Sequence, residues 1–135
     1  DHQITDQMRL VALPVNSRML PGNLQPGMFV DIEAPFSVVD GGSTVLPVME
    51  YVRVLAVGNV SIVDQESTRG GRPRNPSSYR TISIEVEPDQ ATDLSMIQKI
   101  AIGDFELHLR NPADQSTPKI RAGGINPDVL RLIEP

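Results

Sequence analysis

Apolar and polar residues alternate along much of this 135-residue chain, and glycine and proline stand where the alternation stops. Over 28–34, Met28, Val30 and Ile32 fall on one side and Phe29, Asp31 and Glu33 on the other, which predicts a strand with one buried face. Tyr79–Glu87 alternates most cleanly, with Ile82, Ile84 and Val86 set against Thr81, Ser83, Glu85 and Glu87. Phe105, Leu107 and Leu109 against Glu106, His108 and Arg110 predict a last strand. Met8–Leu13 is a short apolar run closed by Pro14 and reads as a buried strand. Thr44–Val57 is a long β-rich stretch whose Pro47 marks an edge or a bulge. Within it Val52, Val54 and Ala56 share a face, and Gly58-Asn59 is expected to turn the chain into a short strand over 60–63.

The period changes once. After Pro88 and Asp89, which suit a first helical turn, Ala91, Leu94, Ile97 and Ala101 recur at three- and four-residue spacing, and Gly103 is placed to stop the helix. Asn126-Pro127-Asp128 is a plausible cap for a short final helix that docks Val129, Leu130, Leu132 and Ile133. Pro26-Gly27 opens the 28–34 strand as a tight turn, with Gly27 supplying a positive φ. The fold class is therefore mostly β (α+β): a small mixed or antiparallel β domain with one main helix near 88–102.

Composition narrows the function classes. A chain of 135 residues suits one domain, 1–135, with 1–7 the end of an upstream unit or linker and 65–78 a flexible loop. Cysteine is absent, so no disulfide, thiol nucleophile or thiolate metal site exists. A net charge of -5 argues against nucleic acid as a partner, and 4% aromatics with no tryptophan against a stacking platform. No run of 18 apolar residues is present. The chain begins at Asp1 rather than methionine, so a mature or excised fragment is expected, and an anchor or targeting segment upstream of it would not be visible.

Three constellations could carry chemistry. Asp104, Glu106 and His108 share one strand face at period two, the spacing of a metal or acid–base site, but a solvated outer face explains them more simply. Arg69, Arg72 and Arg74 lie in the loop 65–78 and would suit a small basic clamp for phosphate, an anionic polymer or an acidic partner surface, but a solvated, flexible loop explains them more simply. Asp31, Glu33, Glu85, Glu87 and Asp89 form an acidic series that outward-facing positions account for. None of the common catalytic motifs stands in the chain, so no catalytic residue, metal or cofactor is assigned and no enzyme is expected.

Five phrases in order carry a resemblance: MRLVALPVN (8–16), LQPGMFVDI (24–32), YVRVLAVG (51–58), YRTISIEVEPDQATDL (79–94) and FELHLRNPAD (105–114). The series resembles the CpaB/RcpC family of Flp/Tad pilus assembly proteins, with Pro26, Gly27, Asp31, Arg110, Asn111 and Pro112 as its structural signature; Met28 departs from the aspartate usual there. The resemblance implies a β-clip-like (SAF-type) neighbourhood, an inner-membrane anchor upstream, and a periplasmic location in the bacterial envelope. It also implies a non-enzymatic role in pilus assembly, with the outer-membrane secretin and other pilus-assembly proteins as partners. A glycan- or peptidoglycan-binding module is the alternative, and an enzyme of the kind that carries SAF-like domains a distant third. If binding is the task, the loop 65–78 or an exposed strand edge is the expected surface.

Overall fold

The structure is a computed structural model that describes residues 4–63, 77–111 and 123–134. Its strands are β1 (Arg9–Asn16), β2 (Phe29–Ser37), β3 (Ser43–Val63), β4 (Ser77–Val86) and β5 (Glu106–Leu109); its helices are α1 (Pro88–Ile100) and α2 (Pro127–Ile133). The strands form one sheet in the order β1-β4-β3-β2-β5 with every neighbouring pair antiparallel. β3 joins the two halves of the sheet, pairing with β2 over its first part and with β4 over its second. The sheet curls until its ends approach: Val15 of β1 bridges Phe105, just ahead of β5, in the parallel sense. The Asp104 carboxylate fastens this closure by accepting from Asn16 Nδ2 at 3.2 Å and from the Tyr79 hydroxyl at 3.3 Å.

The alternating positions line the inside. Leu13 and Val15, then Val30, Ile32, Ala34 and Phe36, and Ile82, Ile84 and Val86 are all buried in one core, which Leu94 and Ile97 of α1 and Val129 of α2 complete. α1 begins with Pro88 at its first positions and a capping box between Glu87 and Gln90. Asn126 caps α2 through its Oδ1, which accepts from the Asp128 N–H at 3.0 Å, while its Nδ2 donates to the Pro47 carbonyl at 2.8 Å. One buried side chain thus starts a helix and pins the irregular part of β3.

Several boundaries differ from the expectations, each for a local reason. Pro14 does not end β1, which runs on to Asn16; β1 pairs only with β4, and an end strand tolerates a residue without an N–H. Leu10 in β1 is exposed rather than buried. Gly58-Asn59 does not reverse the chain: β3 passes through it, and the mismatch is absorbed as a register shift between Val57 and Val60. A further shift between Val54 and Ala56 leaves Ala56 exposed and turns Leu55 inward. Pro47 does lie at a bulge, where the β2–β3 register slips between Ile32 and Glu33. α1 ends at Ile100, and the extended Ala101, at φ -63°, ψ 136°, is its cap. Gly103 is therefore not the cap; a Cβ there would sit 2.9 Å from Pro35 Cγ, so its bareness serves the close approach to β2. Leu132 is exposed and does not dock. Ser77 and Ser78 belong to β4, and residues 65–76 lie outside the described residues.

Candidate functional site

The Pro26-Gly27 turn behaves as its chemistry dictates. The Met28 N–H donates to the Gln25 carbonyl at 3.2 Å with Gly27 at φ 93°, so Pro26 and Gly27 occupy the two central positions of a type II turn. The turn is tied to β3 by hydrogen bonds from the Gly27 N–H to the Val54 carbonyl (2.8 Å) and from the Val54 N–H to the Met28 carbonyl (2.9 Å). β2 leaves it already in register, which sets the direction of Asp31.

Asp31 faces a defect in β3. Opposite it the β2–β3 ladder slips between Val30 and Ile32, and Tyr51 takes φ 59°, a left-handed conformation that costs an aromatic residue about 1–3 kcal/mol. The Asp31 Oδ1 accepts the Tyr51 N–H at 3.0 Å and so satisfies the donor that the bulge frees. Arg110 arrives from the other side: β2 pairs with β5, and the Arg110 N–H donates to the Phe29 carbonyl at 2.8 Å. Its guanidinium lies 3.5 Å from Asp31 Oδ1 and 3.6 Å from Glu50 Oε2, and 5.3 Å above the Tyr51 ring, which in turn meets the Phe29 ring at 4.9 Å. Only 10% of the Arg110 side chain is exposed. The sequence placed Arg110 on the outer face of the strand; here its stem and head are folded down into a clasp.

A cavity of about 410 Å³ opens beside the clasp, lined chiefly by Met28, Phe29, Tyr51, Leu109, Arg110 and Asn111. Pro26, Gly27, Asp31, Arg110 and Asn111, far apart in the chain, thus converge on one place, while Pro112 lies outside the described residues. Glu50 and Tyr51 complete the cluster and escaped the sequence reading. Their signal was there, because buried Met49 and Val52 stand three positions apart and so break the period of two.

The other candidates disperse or regroup. Arg69, Arg72 and Arg74 lie outside the described residues. Asp104 leaves the group formed with Glu106 and His108, being engaged by Asn16 and Tyr79, and Glu33 takes its place: His108 Nε2 is 2.6 Å from Glu33 Oε1 and 3.9 Å from Glu106 Oε1. The acidic series is spread over separate tasks. Asp31 holds the bulge, Glu33 meets His108, Glu87 caps α1 and Asp89 sits in its first turn.

Glu85 is the fifth of the series. Its carboxylate accepts hydrogen bonds from Thr5, and these, with the Arg53 guanidinium 3.7 Å away, hold its pKa below the ordinary carboxylate value against the opposing effect of burial. A depressed folded-state pKa stabilises the protein above the unfolded-state value, and that contribution fades as pH falls through the folded-state value. Denaturation followed from neutral to acid pH is expected to show Glu85→Gln less stable than the parent at neutral pH, with the gap closing in acid. A gap independent of pH would show that the Thr5 contact carries no charge-dependent stability.

Comparison with known proteins adds one positive finding. Residues 1–110, covering all strands and α1, match the family model described as Flp pilus assembly protein RcpC/CpaB. Neither the curated proteins nor the solved structures return a match.

Proposed function

The chain belongs to the RcpC/CpaB family of Flp pilus assembly proteins, and on that premise we propose that it is a non-enzymatic envelope component that supports the outer-membrane secretin through protein–protein contacts in the periplasm. The observation that carries this reading is the clasp. The charges that the signature gathers are turned on one another: Arg110 meets Asp31 and Glu50 through Nε and Nη2, leaving its buried Nη1 without a hydrogen-bond partner among the described residues, and the Asp31 oxygen also accepts the backbone N–H of Tyr51. Such an arrangement fixes the shape of a surface; a catalytic site keeps a base or nucleophile available for substrate. The SAF-type neighbourhood and upstream anchor belong to the same reading.

The contact itself is assigned to Arg69, Arg72 and Arg74, whose three charges suit an acidic partner surface. Co-purification from envelope extracts tests this. The parent protein is expected to retain the secretin, and replacing the three arginines with glutamine is expected to reduce retention several-fold at low salt, a difference that narrows as the salt concentration rises. Unchanged capture would remove the loop from the interface. Saturable retention on isolated peptidoglycan without any secretin would favour the glycan-binding alternative instead.

A further inference from the structure

The outer face of the β2–β5 pair holds a cluster that neither the clasp nor pilus assembly explains. Glu33 and Glu106 stand directly opposite each other in the ladder, and like charges in that relation destabilise a sheet. Among the described residues neither forms an ion pair with lysine or arginine, and the one group each of them meets is the His108 imidazole. Asp31, which faces His108 in the register, is committed to Tyr51 and Arg110. One imidazole is thus left between two carboxylates, each able to offer an atom within 4.8 Å of the others.

We propose that Glu33, Glu106 and His108 form a binding site for one divalent transition-metal ion of the zinc type. An ion between the strands would convert the facing carboxylates from a repulsive pair into two ligands. Zinc binds imidazole nitrogen and carboxylate oxygen at about 2.0–2.2 Å, which sets the ligand atoms of one tetrahedral ion roughly 3.3–3.6 Å apart. The separations of 2.6 and 3.9 Å from His108 Nε2 bracket that value, so side-chain torsions suffice and neither strand has to move. The period of two puts Glu106 and His108 on one face of β5, and pairing with β2 brings Glu33 to the same spot, so the backbone fixes all three origins. A nitrogen donor selects zinc-type ions over calcium and magnesium, which prefer oxygen ligands. Three protein ligands on an exposed face leave a coordination position for water or for a donor from a docking protein.

Titration of the whole chain with zinc chloride in a non-chelating buffer tests this. One ion per chain is expected, with the His108 ring signals moving first in the NMR spectrum. His108→Ala and the double change Glu33→Gln with Glu106→Gln should each weaken binding roughly tenfold or more, whereas Asp104→Asn should leave it unchanged. Both changes lie on an exposed face, and an unaltered circular dichroism spectrum separates loss of ligands from loss of fold. His2 is the other imidazole of the chain, so the titration is repeated on His2→Ala. Loss of binding there overturns the proposal, as do unchanged affinity in His108→Ala and displacement of zinc by equimolar calcium.

Discussion

Replacing Arg110 with methionine is expected to lower the unfolding free energy by roughly 3 kcal/mol at neutral pH, because removing one partner of a largely buried ion pair leaves the other charge uncompensated. Methionine keeps most of the apolar stem, so the loss reports on the guanidinium. The two acids left behind differ in exposure, 30% for the Asp31 side chain and 12% for Glu50, so most of the penalty falls on Glu50. Adding Glu50→Gln to Arg110→Met should therefore return part of the lost stability, although Glu50→Gln alone is destabilising. Asp31 separates two roles. Asp31→Asn keeps an oxygen for the Tyr51 N–H and should cost less than Asp31→Ala, which frees a backbone donor beside a left-handed tyrosine. Urea denaturation of the set measures these differences. An Arg110→Met protein within about 0.5 kcal/mol of the parent, the range of an ordinary surface change, would show that the clasp holds nothing together.

Phe36→Ala should cost more still, about 3–5 kcal/mol, from lost transfer free energy and the cavity left behind. Phe36 is among the largest fully buried side chains and lies near the tip of the β2–β3 hairpin, far along β2 from the signature turn. With whole-domain stabilities of about 5–15 kcal/mol, the variant is expected to melt roughly 10 °C or more below the parent. The same hairpin supplies its control. Val39, three positions on, is fully exposed, and Val39→Ser should change the melting temperature hardly at all. Equal effects from the two changes would mean that Phe36 is not packed as described.

The alternation of β2, β4 and β5 was legible because each places a single face on one core, so period and burial coincide at Val30, Ile32, Ile82, Ile84 and Leu107. α1 was legible from Pro88 and its apolar spacing, and the Pro26-Gly27 turn from dihedral preferences that depend on nothing distant. The failures nearest the site share one cause: β3. A strand that serves two partners must change face midway, and it does so through register shifts that a period-of-two reading takes for a break or a turn. Gly58-Asn59 was misread for that reason, and Glu50 and Tyr51 were passed over for the same one. The clasp lay beyond local reading in another sense. Arg110 sits in a clean alternation and looks solvated until β5 is laid beside β2, where Asp31, Glu50 and the Tyr51 ring are waiting.

The curling of the sheet bears on how fast this chain can fold. β1 is the first strand in the sequence, yet its ladder partner is β4, and it meets the far end of the sheet at Asp104 and Phe105. The chain must be in place as far as β4 (Ser77–Val86) before the first strand gains its ladder partner. The entropy of closing so large a loop is lost before any contact rewards it, and folding dominated by such distant pairings is slow. Meanwhile the β2–β3 hairpin can form from neighbouring residues alone and serve as the seed. Until β4 reaches it, β1 is a bare edge carrying Leu10 and Val11, and it is the segment a chaperone or another unfolded copy would meet first.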